Sequence, residues 1–337
     1  MMSVIDHTKT PSSTPVPKLA ALDPEGGVSA GGVYDSVWTR DSFFALLGVD
    51  AASRPEAYAK LATRLWASRR KDGQNQVPFM FGSTVTGGKA PKYKDEKTGT
   101  DVVDANAICV LAASESGQEM LVKLVAPVLE WYSSRRRPDG LVLEGSAASW
   151  EDSLEAPAGP VGYTNALVYA AMVQVASLTR WSPNWPAREK LREALLDVVN
   201  AEPCAVSIGI LLRWGQCDKS EFEQSILRLK RTGPYQKHRI ACGSGCAPRE
   251  PLWMMRLVGL GEYHTEARWP WTQLFLAGCL KDKEMGRPWL DLFNETGKLY
   301  ETYSVSGTTP SKFWFLAPEP FSMNMGCLLF YIAETGR

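Results

Sequence analysis

From Val33 onward the apolar positions recur at spacings of three and four, broken at intervals by Gly and Pro, which is the period of helices that bury one face. Ser53-Arg54-Pro55-Glu56 has a serine followed three residues later by an acid, a pattern that predicts a capped helix start. Behind it Tyr58, Leu61, Leu65 and Trp66 fall on one face, and Asp72-Gly73 stops the run. Ser220-Glu221-Phe222-Glu223 repeats the device, with Phe222, Ile226 and Leu229 on one face and Gly233 as terminator. Helices are predicted near 39–49, 54–70, 104–115, 118–136, 162–178 and 186–200. A second set is predicted near 204–214, 219–231, 250–260, 270–281, 285–296 and 320–334. Pro127 kinks the fourth of these or marks its true start. With twelve helices and almost no period-2 alternation, the expected class is all-α. Residues 1–32, rich in Pro, Ser and Gly, read as a loose arm, and 33–337 as a single domain.

Composition narrows the function classes. Lys+Arg and Asp+Glu both total 37, so no basic field is present to attract nucleic acid. No run is long enough for a membrane span, and Met1 to Pro17 lacks a signal-peptide core, so a cytoplasmic location is expected. The seven cysteines are odd in number and irregularly spaced, as in Ala107-Ile108-Cys109-Val110-Leu111, and read as reduced buried thiols. Twelve tryptophans are the unusual feature. An indole packs on one face and offers an N–H at its edge, which suits a sugar ring with apolar faces and polar edges.

The residues with chemical potential fall between the helices, in loops roughly two helices apart, as a barrel of helical hairpins would place them. Ser149-Trp150-Glu151-Asp152-Ser153-Leu154-Glu155 carries three carboxylates within five residues, directly behind a tryptophan. Glycosidic hydrolysis needs one carboxylic acid to protonate the leaving oxygen and a second carboxylate to act on water or sugar. An apolar wall and a nearby like charge raise an acid's pKa, and Asp152, flanked by Glu151 and Glu155 behind Trp150, has both. Glu301, between Tyr300 and Tyr303 and ahead of Phe313-Trp314-Phe315, is the candidate second carboxylate. From the residues alone, capping or solvating a loop is the leading reading of each of these acids. In Val37-Trp38-Thr39-Arg40-Asp41-Ser42, an adjacent Arg and Asp can grip vicinal hydroxyls, one donating and one accepting, although Asp41 or Ser42 would also serve as a helix cap.

Val37-Trp38-Thr39-Arg40-Asp41-Ser42-Phe43-Phe44 resembles the tryptophan–x–arginine–aspartate signature of the (α/α)6-barrel glycosidases: glycoside hydrolase family 63, the neutral invertases and the glucosidase domains of glycogen-debranching enzymes. Asp72-Gly73 with Val77-Pro78 is similar to the glycine–x–(Ile/Val)–Pro loop of that family, and Asp104-Ala105-Asn106 to its aspartate–alanine helix start. Trp150-Glu151-Asp152-Ser153 with Gly162, Asn165, Ala166 and Leu167 resembles the general-acid motif. Tyr300-Glu301 through Gly307, then Pro320-Phe321-Ser322 and Gly326, resembles the general-base loop and last helix. The motifs occur in family order from about residue 33 to 334. The resemblance implies an (α/α)6 toroid and an inverting α-glycosidase without metal or cofactor, with Asp152 (or Glu151) as general acid and Glu301 as general base. It implies that Arg40 and Asp41 hold the glycone. Tyr34, Trp38, Gln76, Trp150, Glu151, Tyr163, Asn165, Trp269, Trp271 and Tyr303 complete the expected sugar-contacting set. The favoured substrate is a small or terminal α-glucoside, glycosylglycerates included. The sequence departs from the family in three places. It is short for such a barrel, Arg268-Trp269-Pro270-Trp271 lacks a glycine, and Met323 stands where a tryptophan is usual.

Other chemistries find less support. Cys242 and Cys246 with His238 and His264 could ligate zinc, but without the tight paired spacing of zinc sites. No Asp-rich diphosphate motif is present, and Gly243-Ser244-Gly245 lacks the strand–turn context of a nucleophile elbow. The rival from another class is a sugar-binding or regulatory protein on the same barrel, which would have no need of Asp152 and Glu301 as a pair.

Overall fold

A computed structural model describes residue 19 and residues 22–31, 34–82, 90–150, 152–157, 159–179, 188–231, 250–258, 267–303 and 321–337. The chain opens with β1 (Ser29–Gly31) and β2 (Tyr34–Trp38), then α1 (Thr39–Ala45), a 3-10 turn (Leu46–Gly48) and α2 (Arg54–Ala67). It continues through β3 (Met80–Gly82), α3 (Ala105–Glu115), α4 (Glu119–Val125) and a 3-10 run (Ala126–Ser134) to α5 (Gly162–Leu178). The second half holds α6 (Arg188–Ala201), α7 (Ala205–Trp214), a 3-10 turn (Lys219–Phe222) and α8 (Glu223–Arg231). It ends with α9 (Trp253–Leu257), α10 (Pro270–Leu280), α11 (Lys283–Thr296) and α12 (Ser322–Thr335).

Two kinds of helix alternate, and the difference is written in their apolar pattern. In α5 every residue from Gly162 to Val173 is buried, and α3 and α10 are buried almost end to end. In α2 and α6 burial follows a stripe: Ala57, Tyr58, Leu61, Ala62 and Leu65 in one, Leu191, Leu195 and Val199 in the other. A helix apolar all round needs neighbours on every side, whereas a striped one covers a core from outside. Accordingly α1, α3, α5, α7, α10 and α12 pack each on the next, and α12 returns to α1 to close a ring. α2, α4, α6, α8 and α11 lie outside it. Between α12 and α1 the described chain places β1, which packs on both. The ring closes tightly because Gly326 of α12 has no side chain. A Cβ there would lie 2.3 to 2.6 Å from the Ala45 backbone.

The predicted helices are found, with local corrections. Ser53 holds the N-cap position without a side-chain cap bond, and Asp50 forms the turn before it, its carboxylate accepting the Ala52 and Ser53 amides at 3.1 and 3.0 Å. The second capping box starts at Asp218, not Ser220, with Glu221 closing back on the Asp218 amide at 2.7 Å. Pro127 opens a 3-10 run instead of kinking a long helix, and among the described residues of the segment near 250–260 the helix spans Trp253–Leu257. The small antiparallel sheet β1-β2-β3 was missed, since strands of three to five residues are too short to show alternation. It pairs Ser36, Val37 and Trp38 with Gly82, Phe81 and Met80. The loose arm expected over 1–32 gives way to packed chain at its described end, where Val28 and Ala30 are buried. Cys109, Cys204, Cys217, Cys279 and Cys327 are free thiols, four of them buried. Among the described residues no helix is long and apolar enough to cross a membrane.

Candidate active site

The start of α1 is positioned by its neighbours. The Thr39 amide donates to the Phe79 carbonyl and its hydroxyl to the Pro78 carbonyl, both at 2.8 Å, so the Val77-Pro78 loop is fastened to the helix that carries Arg40 and Asp41. Arg40 Nε lies 3.1 Å from Asp41 Oδ1, and its Nη1 lies 3.9 Å from Asp104 Oδ2 at the start of α3. The Tyr163 hydroxyl donates to the same Asp104 oxygen at 3.2 Å. Behind Asp104 is a second buried carboxylate, Glu144, which accepts the Ser149 hydroxyl at 3.2 Å and the Thr164 hydroxyl at 2.5 Å. Two buried acids thus flank one guanidinium, with a third behind Asp104.

Burial and charge oppose each other here. Burial pushes the Asp104 carboxyl up to about 6, while Arg40 and the Tyr163 hydroxyl pull it back and Glu144 adds to the rise. The Asp41 carboxyl is likewise raised by burial, Arg40 lowers it, and the charge of Asp152 raises it further. Burial works against the Arg40 charge, but Asp41, Asp104, Tyr163 and Asp152 outweigh it and Arg40 stays a cation.

The loop bearing Asp152 hangs from the α3 start, with the Val103 amide donating to the Ala148 carbonyl at 2.7 Å and the Ala147 amide to the Leu154 carbonyl at 3.0 Å. Ala147 takes a left-handed φ of 54° to make the turn. Trp150 is buried edge-on against Tyr163, Trp269 and Trp271 at centroid distances of 6.2, 5.7 and 5.4 Å. It is the post on which the loop is mounted. Asp152 emerges beyond it, about one quarter exposed, and lines a small pocket with Trp38, Arg40, Asp95, Asp104 and Ser149. Lys97 reaches it from the loop before α3: its Nζ donates to the Asp152 carbonyl at 2.8 Å and lies 4.0 Å from the carboxylate.

Glu301 sits on the other loop and is buried. Asn324 of α12 holds that loop, its Nδ2 donating to the Tyr300 and Glu301 carbonyls at 2.6 and 3.3 Å. Its Oδ1 accepts the Trp271 amide at 3.0 Å. Tyr303 pairs with Arg268 in an antiparallel bridge, N–H to O at 2.9 and 2.8 Å. The two candidate carboxylate loops therefore share one support. Trp150 packs on Trp269 and Trp271, and the same stretch holds the Glu301 loop through Arg268 and Asn324.

The sequence-derived site set divides accordingly. Asp152, Trp38 and Arg40 line one pocket, Asp41 and Tyr163 join it through Arg40 and Asp104, and Trp269 and Trp271 back the Trp150 beside it. Gln76, Asn165 and Tyr303, expected to touch sugar, are buried and bonded to the protein itself. Gln76 Nε2 donates to the Tyr93 carbonyl at 3.0 Å. Asn165 accepts the Val142 amide at 2.7 Å and donates to the Val142 and Val161 carbonyls at 3.0 and 2.9 Å. The Tyr303 hydroxyl accepts the Tyr300 amide at 2.9 Å, and its ring packs on Trp289. Glu151 and the side chain of Tyr34 lie outside the described residues, as do His238, Cys242, Cys246 and His264 of the zinc alternative. Among the described residues no cluster of three metal-ligating side chains occurs. Asp104, Glu144, Lys97 and Asn324 were missed. The Asp104 signal was present in the Asp104-Ala105 helix start, and Glu144 is a lone acid in the run Leu141-Val142-Leu143-Glu144. Lys97 lies in an ordinary surface-like stretch and carries no signal.

No family model matches the chain, and no curated protein matches it by sequence. Solved structures do match. A glycosidase aligns at a TM-score of 0.63 with 13% identity, covering 93% of this chain and 92% of that one. The family 63 mannosylglycerate hydrolase of Thermus thermophilus, in complex with glucose, aligns at 0.62 with 13% identity, covering 92% and 96%. The cellobiose 2-epimerase of Spirochaeta thermophila aligns at 0.55 with 11% identity, covering 94% and 92%. The closed ring of inner helices and these full-length alignments together identify the fold as an (α/α)6 barrel.

Proposed function

We propose that this protein is a glycoside hydrolase of inverting mechanism that cleaves a small or terminal α-glycoside. The observation that carries the reading is the meeting of Asp152 with Trp38, Arg40 and Asp104 around a void of about 10 Å³ among the described residues, on a barrel that solved glycosidases share. Asp152 protonates the glycosidic oxygen as the C–O bond breaks. Glu301 takes a proton from a water that attacks the anomeric carbon from the opposite face, which inverts the anomer. Arg40 and Asp41 grip vicinal hydroxyls of the glycone, and the tryptophan wall supports its apolar face. The neighbours favour a glycosyl substrate but include an epimerase, so the fold alone does not choose the reaction. The reaction rests on the two carboxylates and calls on no metal or cofactor. A cytoplasmic location accompanies this reading, as does indifference to nucleic acid and membranes.

The test is a panel of α-glucosides, α-mannosides, sucrose, trehalose and glycosylglycerates, with the product anomer followed by proton NMR. Release of the inverted anomer from one of them supports the proposal. Retained anomer, or epimerised sugar without cleavage, refutes it. Tight sugar binding by calorimetry with no turnover would make the protein a sugar-binding member of the fold instead.

A further inference from the structure

Lys97 stands between two carboxylates. Its Nζ lies 3.7 Å from Asp95 Oδ2 and 4.0 Å from Asp152 Oδ1, and it donates to the Asp152 backbone carbonyl at 2.8 Å. The backbone under it is held: Asp95 Oδ1 accepts the amides of Lys97 and Thr98 at 2.9 and 3.0 Å, and Gly99 makes the turn at a left-handed φ of 68°. The side chain above it is about one third exposed. A lysine is a point charge on a flexible four-carbon stem, so a fixed backbone with two anionic perches gives the ammonium two positions. Asp152 is also faced by Arg40 and Asp41 of α1, and Asp95 and Asp104 line the same pocket.

We propose that Lys97 is a positioning residue for the acid: its ammonium, held on the Asp152 backbone carbonyl and set between the two carboxylates in the free protein, moves fully onto Asp95 when substrate enters. This inference rests on the assignment of Asp152 as the proton donor. A cation close to a carboxylate favours its ionised form, whereas a general acid must hold its proton until the leaving oxygen takes it. With the ammonium on Asp95, its favour for the ionised form of Asp152 is withdrawn, and the Asp41 carboxylate, set against Arg40, helps the carboxyl keep its proton. That proton passes to the glycosidic oxygen as its bond to the anomeric carbon breaks, leaving Asp152 as carboxylate for the ammonium to reclaim. Water, losing its proton to Glu301, forms the new bond to the anomeric carbon.

The experiment is a titration of the Asp152 side-chain carboxyl by carbon-detected NMR on the full chain, with its signal assigned by its loss in Asp152→Asn. Lys97→Met and Lys97→Arg are compared with wild type, and the exposed position leaves the fold intact in both. We expect the midpoint to rise by about half a unit or more in Lys97→Met, an effect consistent with a single partly solvated charge at this distance, and to stay near wild type in Lys97→Arg. An unchanged midpoint in Lys97→Met overturns the proposal. So does an equal rise in both variants, which would mean the loop and not the charge is responsible. The basic limb of the pH–rate profile on whichever panel substrate is cleaved provides the second reading. If the NMR midpoint moves and the limb does not, the Lys97–Asp152 pairing stands, but Asp152 is not the proton donor and the positioning role falls with that assignment.

Discussion

The Asp104 carboxyl titrates near 6 because burial costs its charged form more than Arg40 and Tyr163 recover. A carboxylate whose folded pKa exceeds its unfolded value of 3.8 binds its proton more tightly when folded. Its favourable contribution is therefore complete below about pH 4 and is lost as pH rises through about 6, with an upper size of about 3 kcal/mol. Asp104→Asn removes that titration. Urea unfolding from pH 4 to pH 8 is expected to show wild type losing stability relative to the variant between about pH 4 and 7, and a pH-independent difference would contradict this. At the same scale, Asp152→Asn and Glu301→Gln are expected to fold normally and to lose activity by about 10²–10⁴-fold or more. Near wild-type turnover in either variant would remove that residue from the mechanism. Asp152 and Arg40 were legible because sharply patterned motifs surround them. Glu144 and Lys97 were not, because a single acid or lysine in a chain gives no hint of what folds against it.

Within single elements, the same device recurs at the starts of three inner helices. Asn106 of α3 accepts the Val77 amide and donates to the Asn75 and Val128 carbonyls, and Asn165 and Asn324 do the equivalent work in α5 and α12. Asparagine is a poor residue inside an apolar helix, so its place there signals side-chain bonds to neighbouring backbone. Asn165 carries that signal. Asn324→Ala strands the Trp271 amide and the Tyr300 carbonyl in the core, at about 1–3 kcal/mol for each group left unpaired. Chemical denaturation is expected to show that loss. Kinetics on the cleaved substrate are expected to show kcat falling more than KM rises, because the Glu301 loop loses its tether. Equal effects of Asn106→Ala on kcat would argue against a specific link to Glu301. Gly326→Ala drives a methyl into the Ala45 backbone. Overpacking of this kind costs about 1–3 kcal/mol, read as a lower thermal midpoint with the α1–α12 contact disturbed.

For the whole molecule, ring closure is the organising constraint. α12 packs on both α10 and α1, so it is the last stave of the barrel as well as the carrier of Asn324. A chain ending at Phe321 leaves apolar faces of α1 and α10 without a partner and is expected to lose cooperative unfolding and to aggregate. A sharp thermal transition in the truncated chain would show that the ring does not need closing.

What the sequence by itself determined is the class of helix at each position. Apolar residues all round, as in Gly162 to Val173, demand burial on every side, and a stripe, as in Leu191, Leu195 and Val199, demands one covered face. These are properties of local periodicity, so they survive without knowledge of the fold. The tertiary structure decided which polar groups meet. Arg40, Asp104 and Tyr163 lie on separate segments, and only the packing of α1, α3 and α5 brings the cation, the acid and the hydroxyl together. The same packing gave Asn165, Tyr303 and the Gln76 amide nitrogen bonds to neighbouring backbone, since a side chain of sugar-binding type hydrogen-bonds backbone equally well. Pairing at a distance depends on three-dimensional proximity, and a linear pattern does not encode it.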